Sequence, residues 1–258
     1  MRKLYEKSEI WFALMWIGLY VLAMNVGLQF AGGLDDLAAK TVPGLLVPVA
    51  IGLVLAVVST WFICRNGLQE KYGLCAFRGD WRGFLFFIPL LLISLTNLTN
   101  GVTLPAAASL CLLMAVNMAV AGYVEEIIFR GFLFRAMAKE NLRSAVIVSA
   151  VTFGAGHIVN IFNTEDVFGV LLQVGYAIVI GFLYTLIVLR GGSLWPCIIS
   201  HALVNFTSVF SADNGPFTAL TEAIFGQATP QLVQTFSAAL LIVVSGLYAL
   251  WLCRRKAA

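Results

Sequence analysis

The chain has 258 residues, of which 60% are hydrophobic and only 11% charged, with a formal net charge of +3. A soluble globular protein carries roughly 25% charged residues, so the composition excludes a soluble domain and predicts an all-α, polytopic membrane protein. The small positive charge is scattered between apolar runs and forms no single patch, which excludes nucleic acid as a partner and leaves the lipid bilayer.

In chain order, Met1-Arg2-Lys3 with Lys7 has the charge of a signal-peptide n-region. The apolar run that follows is too long for an h-region and lacks a small-x-small cleavage site, so it is read as a retained first span. A crossing needs roughly 17–25 apolar residues. On that measure the spans fall at 10–31, 43–64, 84–98, 104–138, 145–162, 167–189, 194–211 and 231–253, about eight in all. The third is short and ends in the polar run Asn97-Leu98-Thr99-Asn100, as a tilted or re-entrant segment would. The fourth is too long for one crossing, since roughly 34 helical residues extend about 50 Å, so part of it should project or break. Pro43, Pro105, Pro196 and Pro230 sit near span starts, where a missing N–H is harmless. Pro89 lies inside the third span and predicts a kink there.

Cytoplasmic flanks of membrane helices carry the excess of Lys and Arg. With the N-terminus in the cytoplasm and eight spans, 15 of the 16 basic residues fall on that side, and Lys40 alone lies opposite. The opposite loops carry Asp35, Asp36, Glu165, Asp166, Asp213 and Glu222. Both termini are therefore expected in the cytoplasm, in a multi-pass protein of a bacterial inner membrane. No heptad, repeat or linker divides the chain, so 1–258 reads as one integral-membrane domain. The five cysteines, Cys64, Cys75, Cys111, Cys197 and Cys253, contain no C-x-x-C and read as free thiols.

Charged groups at membrane depth are expensive, about 2.5–3.5 kcal/mol each on insertion scales, and are functional suspects for that reason. Here they concentrate in three segments. Glu125-Glu126 with Arg130 lies in the fourth span, Phe153 to His157 in the fifth, and His201 to Asn205 in the seventh. Counted from the cytoplasmic ends at 1.5 Å per residue, Glu125, His157 and His201 lie roughly 15, 20 and 12 Å deep, with Ser144 and Ser193 taken as helix caps. They can therefore share one layer. Glu126 and Arg130 are i,i+4 and can pair on one face. Glu125 is turned about 100° away and is left as the candidate general base, a role that burial favours in a carboxylate. His201 and Asn205, also i,i+4, offer two donors to an oxyanion. Gly154 and Gly156 beside His157, and Ala121 and Gly122 beside Glu125, are small enough for close helix approach. Each feature alone has an ordinary structural explanation, and their coincidence at one depth argues for a shared site.

These segments resemble the CPBP family of CAAX proteases and bacteriocin-processing enzymes, also called Abi proteins. Its signature of E-E-x-x-x-R, F-x-x-x-H and H-x-x-x-N is matched by Glu125 to Arg130, Phe153 to His157 and His201 to Asn205, in that order. The resemblance covers about 105–210, a CPBP-like catalytic core. It implies an eight-helix intramembrane endopeptidase in which Glu125, helped by His157, activates a water and His201 with Asn205 stabilises the oxyanion. Glu126, Arg130 and Phe153 support the site. The substrate implied is a membrane-associated protein, either prenylated or carrying a leader peptide, reached through a cavity opening to the cytoplasmic side. The resemblance commits to no cofactor, and zinc is possible. A zinc-dependent version would use Glu125, His157 and His201 as ligands, although H-E-x-x-H is absent. A non-catalytic role in bacteriocin immunity or membrane scaffolding is the alternative of a different class, and a proton relay or transporter is a weaker one, with no inverted repeat to support it.

Overall fold

The computed structural model describes residues 1–33, 40–104, 107–212 and 214–254. Pro105 and the charged residues Asp35, Asp36, Asp213, Arg255 and Lys256 lie outside the described residues. Helices account for nearly all of the fold: α1 (Arg2–Lys7), α2 (Glu9–Phe30), α3 (Val42–Arg65), α4 (Ile88–Leu95), α5 (Ala108–Glu126), α6 (Arg135–Met137), α7 (Leu142–Gly156), α8 (Val167–Gly191), α9 (Trp195–Val209), α10 (Pro216–Phe225) and α11 (Pro230–Arg254). Among the described residues no strand forms, and one isolated antiparallel bridge joins Val102 to Ser211. Six helical stretches are long and apolar enough to cross a membrane: Glu9–Phe30, Val42–Arg65, Ala108–Met137, Leu142–Phe162, Val167–Gly191 and Pro230–Arg254. Large apolar side chains such as Leu22, Val57, Leu112 and Leu247 are exposed on their outer faces, while Trp16, Phe62, Phe132 and Tyr184 fill the interior. A helix apolar on every side belongs in lipid. This is an integral membrane protein.

Polar side chains mark the helix starts. Ser8 accepts from Trp11 N, Thr41 from Gly44 N, and Asp166 from Gly169 N. The cap of α7 is Asn141, which accepts from Ser144 N at 2.9 Å, in place of the expected Ser144. The cap position of α9 is Leu194 in place of the expected Ser193, although Ser193 Oγ, two residues ahead of α9, receives Trp195 N at 3.3 Å. Two expectations about breaks are corrected. Pro89 begins α4 instead of kinking it, because the chain enters that helix through Leu85, Phe86 and Phe87 at positive φ. The fourth span does not break. After Glu126 it widens into a π-helix over Ile127–Phe134 and then continues into α6. All eight residues of the π segment are buried. The helix α10 was not anticipated from the sequence, whose third-span candidate is itself only the short apolar stretch Leu85–Asn100.

Helix α5 packs between α3 and α9, α8 between α7 and α11, and α2 lies against α3 and the π segment. Short α4 is fixed to α9 by Ser94 Oγ and Ser200 Oγ, 3.0 Å apart, and by Thr207 Oγ1 donating to Ser94 O. The basic helix ends gather at one end of the bundle, where Glu9 takes both Lys71 and Lys139 at 2.6 Å. Burial works to lower the pKa of Lys71, but its hydrogen bonds to Glu9 and Tyr5 outweigh that and hold the ammonium above its ordinary value. The other end is tied by Gln234 to Asp166 and by Ser237 to Asn100.

Small residues set the helix spacing beside the site. A Cβ on Gly122 would stand 3.0 Å from Ala202 N, and one on Gly154 would stand 2.7 Å from Ile178 N and 3.0 Å from its Cα. Gly156 is different, with only the Phe129 ring tip near, at 4.0 Å. Gly154→Ala is therefore expected to force α7 from α8 and to destabilise by about 1–3 kcal/mol, the usual penalty of overpacking. Gly156→Ala should be close to neutral. Thermal unfolding of the two purified variants checks the contrast, and equal melting temperatures would refute it.

Candidate active site

Glu125 and Glu126 end the regular part of α5, and the π-helix begins at the next residue. Ile127 N–H is shared between the Tyr123 and Val124 carbonyls at that junction. A π segment inserted into a helix is rare and is frequently found at functional sites. Here it carries Arg130, whose Nη1 donates to Glu126 Oε1 at 2.9 Å, with both side chains fully buried. The same Oε1 accepts from His201 Nδ1 of α9 at 2.8 Å. Across the His201 ring, Nε2 stands 3.5 Å from Glu125 Oε2. The remaining Glu125 oxygen, Oε1, accepts from the hydroxyl of Tyr20 on α2. Arg130, Glu126, His201, Glu125 and Tyr20 thus form one connected series from the buried interior to the cavity wall.

Phe153 holds the other side. The Arg130 guanidinium lies 4.0 Å over its ring. Its ring meets His157 and His201 edge to face, with centroids at 5.1 and 5.6 Å. Such contacts add roughly 0.5–1.5 kcal/mol beyond burial, and they fix the plane of each imidazole. His157 Nδ1 donates to Phe153 O at 3.1 Å. A carbonyl only accepts, so Nδ1 carries a proton, and in the neutral ring Nε2 is left with a lone pair.

These groups border a cavity of about 590 Å³, whose wall includes Tyr20, Glu125, Phe153, His157 and Asn205. His201, Glu126 and Arg130 sit behind that wall. The sequence predicts His201 and Asn205 as a pair of donors on one face. In the structure Asn205 borders the cavity, while both nitrogens of His201 are turned to the two glutamates. The opening is also elsewhere than expected. The cavity runs from Glu125 to Gly33, Lys40, Asp166 and Gln234, at the end of the bundle away from the basic loops. The sequence reading, which had it open toward those loops, is corrected on this point.

The three candidate zinc ligands do not converge. Among the described residues no three His, Cys, Asp or Glu side chains are grouped so as to hold a metal ion. The residues present do not fit a zinc centre.

Residues 106–207 match the family described as type II CAAX prenyl endopeptidase, Rce1-like. The match is consistent with the CPBP family. It contains Glu125, His157, His201 and Asn205, and it leaves Tyr20 outside. No curated protein matches the chain. The Rce1-like family is one of proteases, so the match suggests protease activity in a membrane protein. Tyr20 was missed in the sequence, where an aromatic in an apolar span carries no signal. Only the contact between residues 105 positions apart reveals it.

Proposed function

We propose that the protein is an intramembrane endopeptidase that hydrolyses a peptide bond with a glutamate-activated water. The observation that supports this most directly is Glu125 on the wall of a cavity, oriented by Tyr20 on one oxygen and facing His201 with the other. A water between Glu125 and His157 gives its proton to the Glu125 carboxylate as its oxygen attacks the scissile carbonyl. His157 Nε2, with its free lone pair, accepts a hydrogen bond from the same water and places it. The carbonyl oxygen becomes an oxyanion within reach of the Asn205 amide, and His201 Nε2 joins as a donor if the proton it shares with Glu125 resides on it. Collapse of the tetrahedral intermediate breaks the C–N bond, and the Glu125 proton passes to the departing amine. Positioned proton transfer of this kind contributes roughly 10²–10⁴-fold, and a preorganised donor roughly 10²–10³-fold more.

Counting Leu85–Asn100 and Trp195–Val209 as crossings gives eight spans, with both chain ends on the basic side. By the Lys and Arg distribution that side is the cytoplasm of a bacterial inner membrane. The decisive experiment compares newly formed peptide termini in membranes expressing the wild type and Glu125→Gln. Termini present only with the wild type identify substrate and cleavage position together, and identical sets of termini would sink the assignment.

Tyr20 supplies a second test of the same mechanism. Removing its hydroxyl takes away the donor to Glu125 Oε1, and a hydrogen bond to a charged group is worth about 1.5–3 kcal/mol. Tyr20→Phe is therefore expected to lower kcat by at least about tenfold while KM changes little. A variant with unaltered kcat would remove Tyr20 from the site.

A further inference from the structure

The fold separates two features along its long axis. Among the described residues, the basic side chains other than Arg130 and Lys40 lie at the helix ends and loops of 1–9, 65–82, 135–143 and 190–194 and at Arg254. The contacts of Glu9 with Lys71 and Lys139, and of Arg190 with Cys253 O, hold those segments together at one end. The cavity occupies the other half. Helix α5 borders it from Met114 to Glu125, and the other long helices do so with the half far from the basic loops: the last turns of α2, α7 and α9 and the first turns of α3, α8 and α11. Its rim carries Lys40 and exposed Asp166, and Asp166 is itself pinned by Gln234. Cationic loops stay on the cytoplasmic face, so the two ends have different addresses.

We infer that substrate reaches Glu125 from the non-cytoplasmic face, as an extended polypeptide segment lying on or translocated to that side of the bilayer. A lipidated tail held in the cytoplasmic leaflet would approach the wrong end of the bundle. The substrate class rests on the protease reading above, and the direction of access does not.

The lining fits a peptide strand. Asn117, Ala121 and Glu125 border the cavity from one face of α5, each a turn apart. Asn117 is 4% exposed, and its Oδ1 meets no donor among the described residues. A buried amide oxygen left without a donor is a waiting acceptor. Eight helical residues separate Asn117 from Glu125, about 12 Å, the reach of roughly three to four residues of extended chain. A strand with its scissile carbonyl at Glu125 and a backbone N–H at Asn117 would run outward from the chemistry to the rim. Met24, Leu28, Met114 and Leu172 give its side chains apolar wall.

The test reads sidedness without activity. Ser208, exposed on α9 one turn beyond Asn205, borders the cavity, and Ser208→Cys is nearly isosteric. In an otherwise cysteine-free chain, Ser208→Cys is treated with a membrane-impermeant maleimide in right-side-out and in inside-out membrane vesicles. Leu172→Cys, on the facing helix α8, is treated in the same way. Native Cys253, exposed at the basic end, serves as the reference when it is the only thiol. The expected result is labelling of Ser208→Cys and Leu172→Cys from the outer face and of Cys253 from the inner face. Cavity thiols that react only in inside-out vesicles, or in neither preparation, overturn the inference, as does a Cys253 that reacts from outside. A Glu125→Gln enzyme that still cleaves would sink the protease reading and leave the sidedness result standing. Cleavage positions on the cytoplasmic side, with the thiols labelled from outside, would overturn the substrate class alone.

Discussion

Glu125→Gln is expected to abolish proteolysis, with a loss of about 10²–10⁴-fold or more, and to leave the protein folded. The amide keeps the shape of the carboxyl and can still receive the Tyr20 hydroxyl on its oxygen. What it loses is the ability to take a proton from water. The carboxyl also lies at the cavity wall with its side chain 13% exposed, so the substitution opens no void and leaves no fully buried charge unpaired. The corresponding change next door separates the two glutamates. Glu126 is fully buried, and one of its oxygens receives both Arg130 Nη1 and His201 Nδ1. Glu126→Gln removes the counter-charge of Arg130 and should be lost chiefly through misfolding. Cleavage rates and melting curves measured on both variants check this. If Glu125→Gln melts early, or if Glu126→Gln is stable and inactive, the division of roles is wrong.

That division was legible in part. Charge in an apolar span is conspicuous, so Glu125, Glu126, Arg130, His157 and His201 stand out of this sequence without any structure. The i,i+4 spacing also correctly pairs Glu126 with Arg130, because a helix leaves that partner no other face. Six of the apolar runs become helices long enough to span. The misses depend on local backbone geometry or on contacts far apart in the chain, neither of which a single residue announces. Tyr20 reads as one more interfacial or core aromatic until α2 is packed beside α5. The π segment has no sequence signature, and its eight residues are all buried in contacts that single residues do not announce. Pro89 looks like a kink because its neighbours are apolar on both sides, yet the turn at positive φ before it makes it a first-turn residue. The opening of the cavity was misplaced for a related reason. Residue counts give the depth of Glu125, but they do not say on which side of it the helices diverge.

Arg130→Met should be the most destabilising single change in the site. Breaking a buried ion pair by removing one partner typically costs about 3–5 kcal/mol, since the other charge is left without compensation. Here the orphan would be Glu126, and the loss would spread. The guanidinium also lies over the Phe153 ring at 4.0 Å, and that ring sets the planes of His157 and His201. With the cation gone, Glu126 would keep only His201, whose ring could follow it away from Glu125. Stability and activity should therefore fall together, unlike in Glu125→Gln. The double variant Glu126→Gln, Arg130→Met separates the contributions. Removing both charges leaves a polar amide and an apolar side chain of similar length, so unfolding should recover part of the loss because no bare charge remains buried. Cleavage should not recover, because an amide at 126 no longer anchors His201 Nδ1 as a carboxylate does. Unfolding measured by loss of near-UV signal in detergent, alongside the cleavage rate, decides the matter. A double variant no more stable than Arg130→Met would show that the guanidinium acts through its packing on Phe153 and not through its charge.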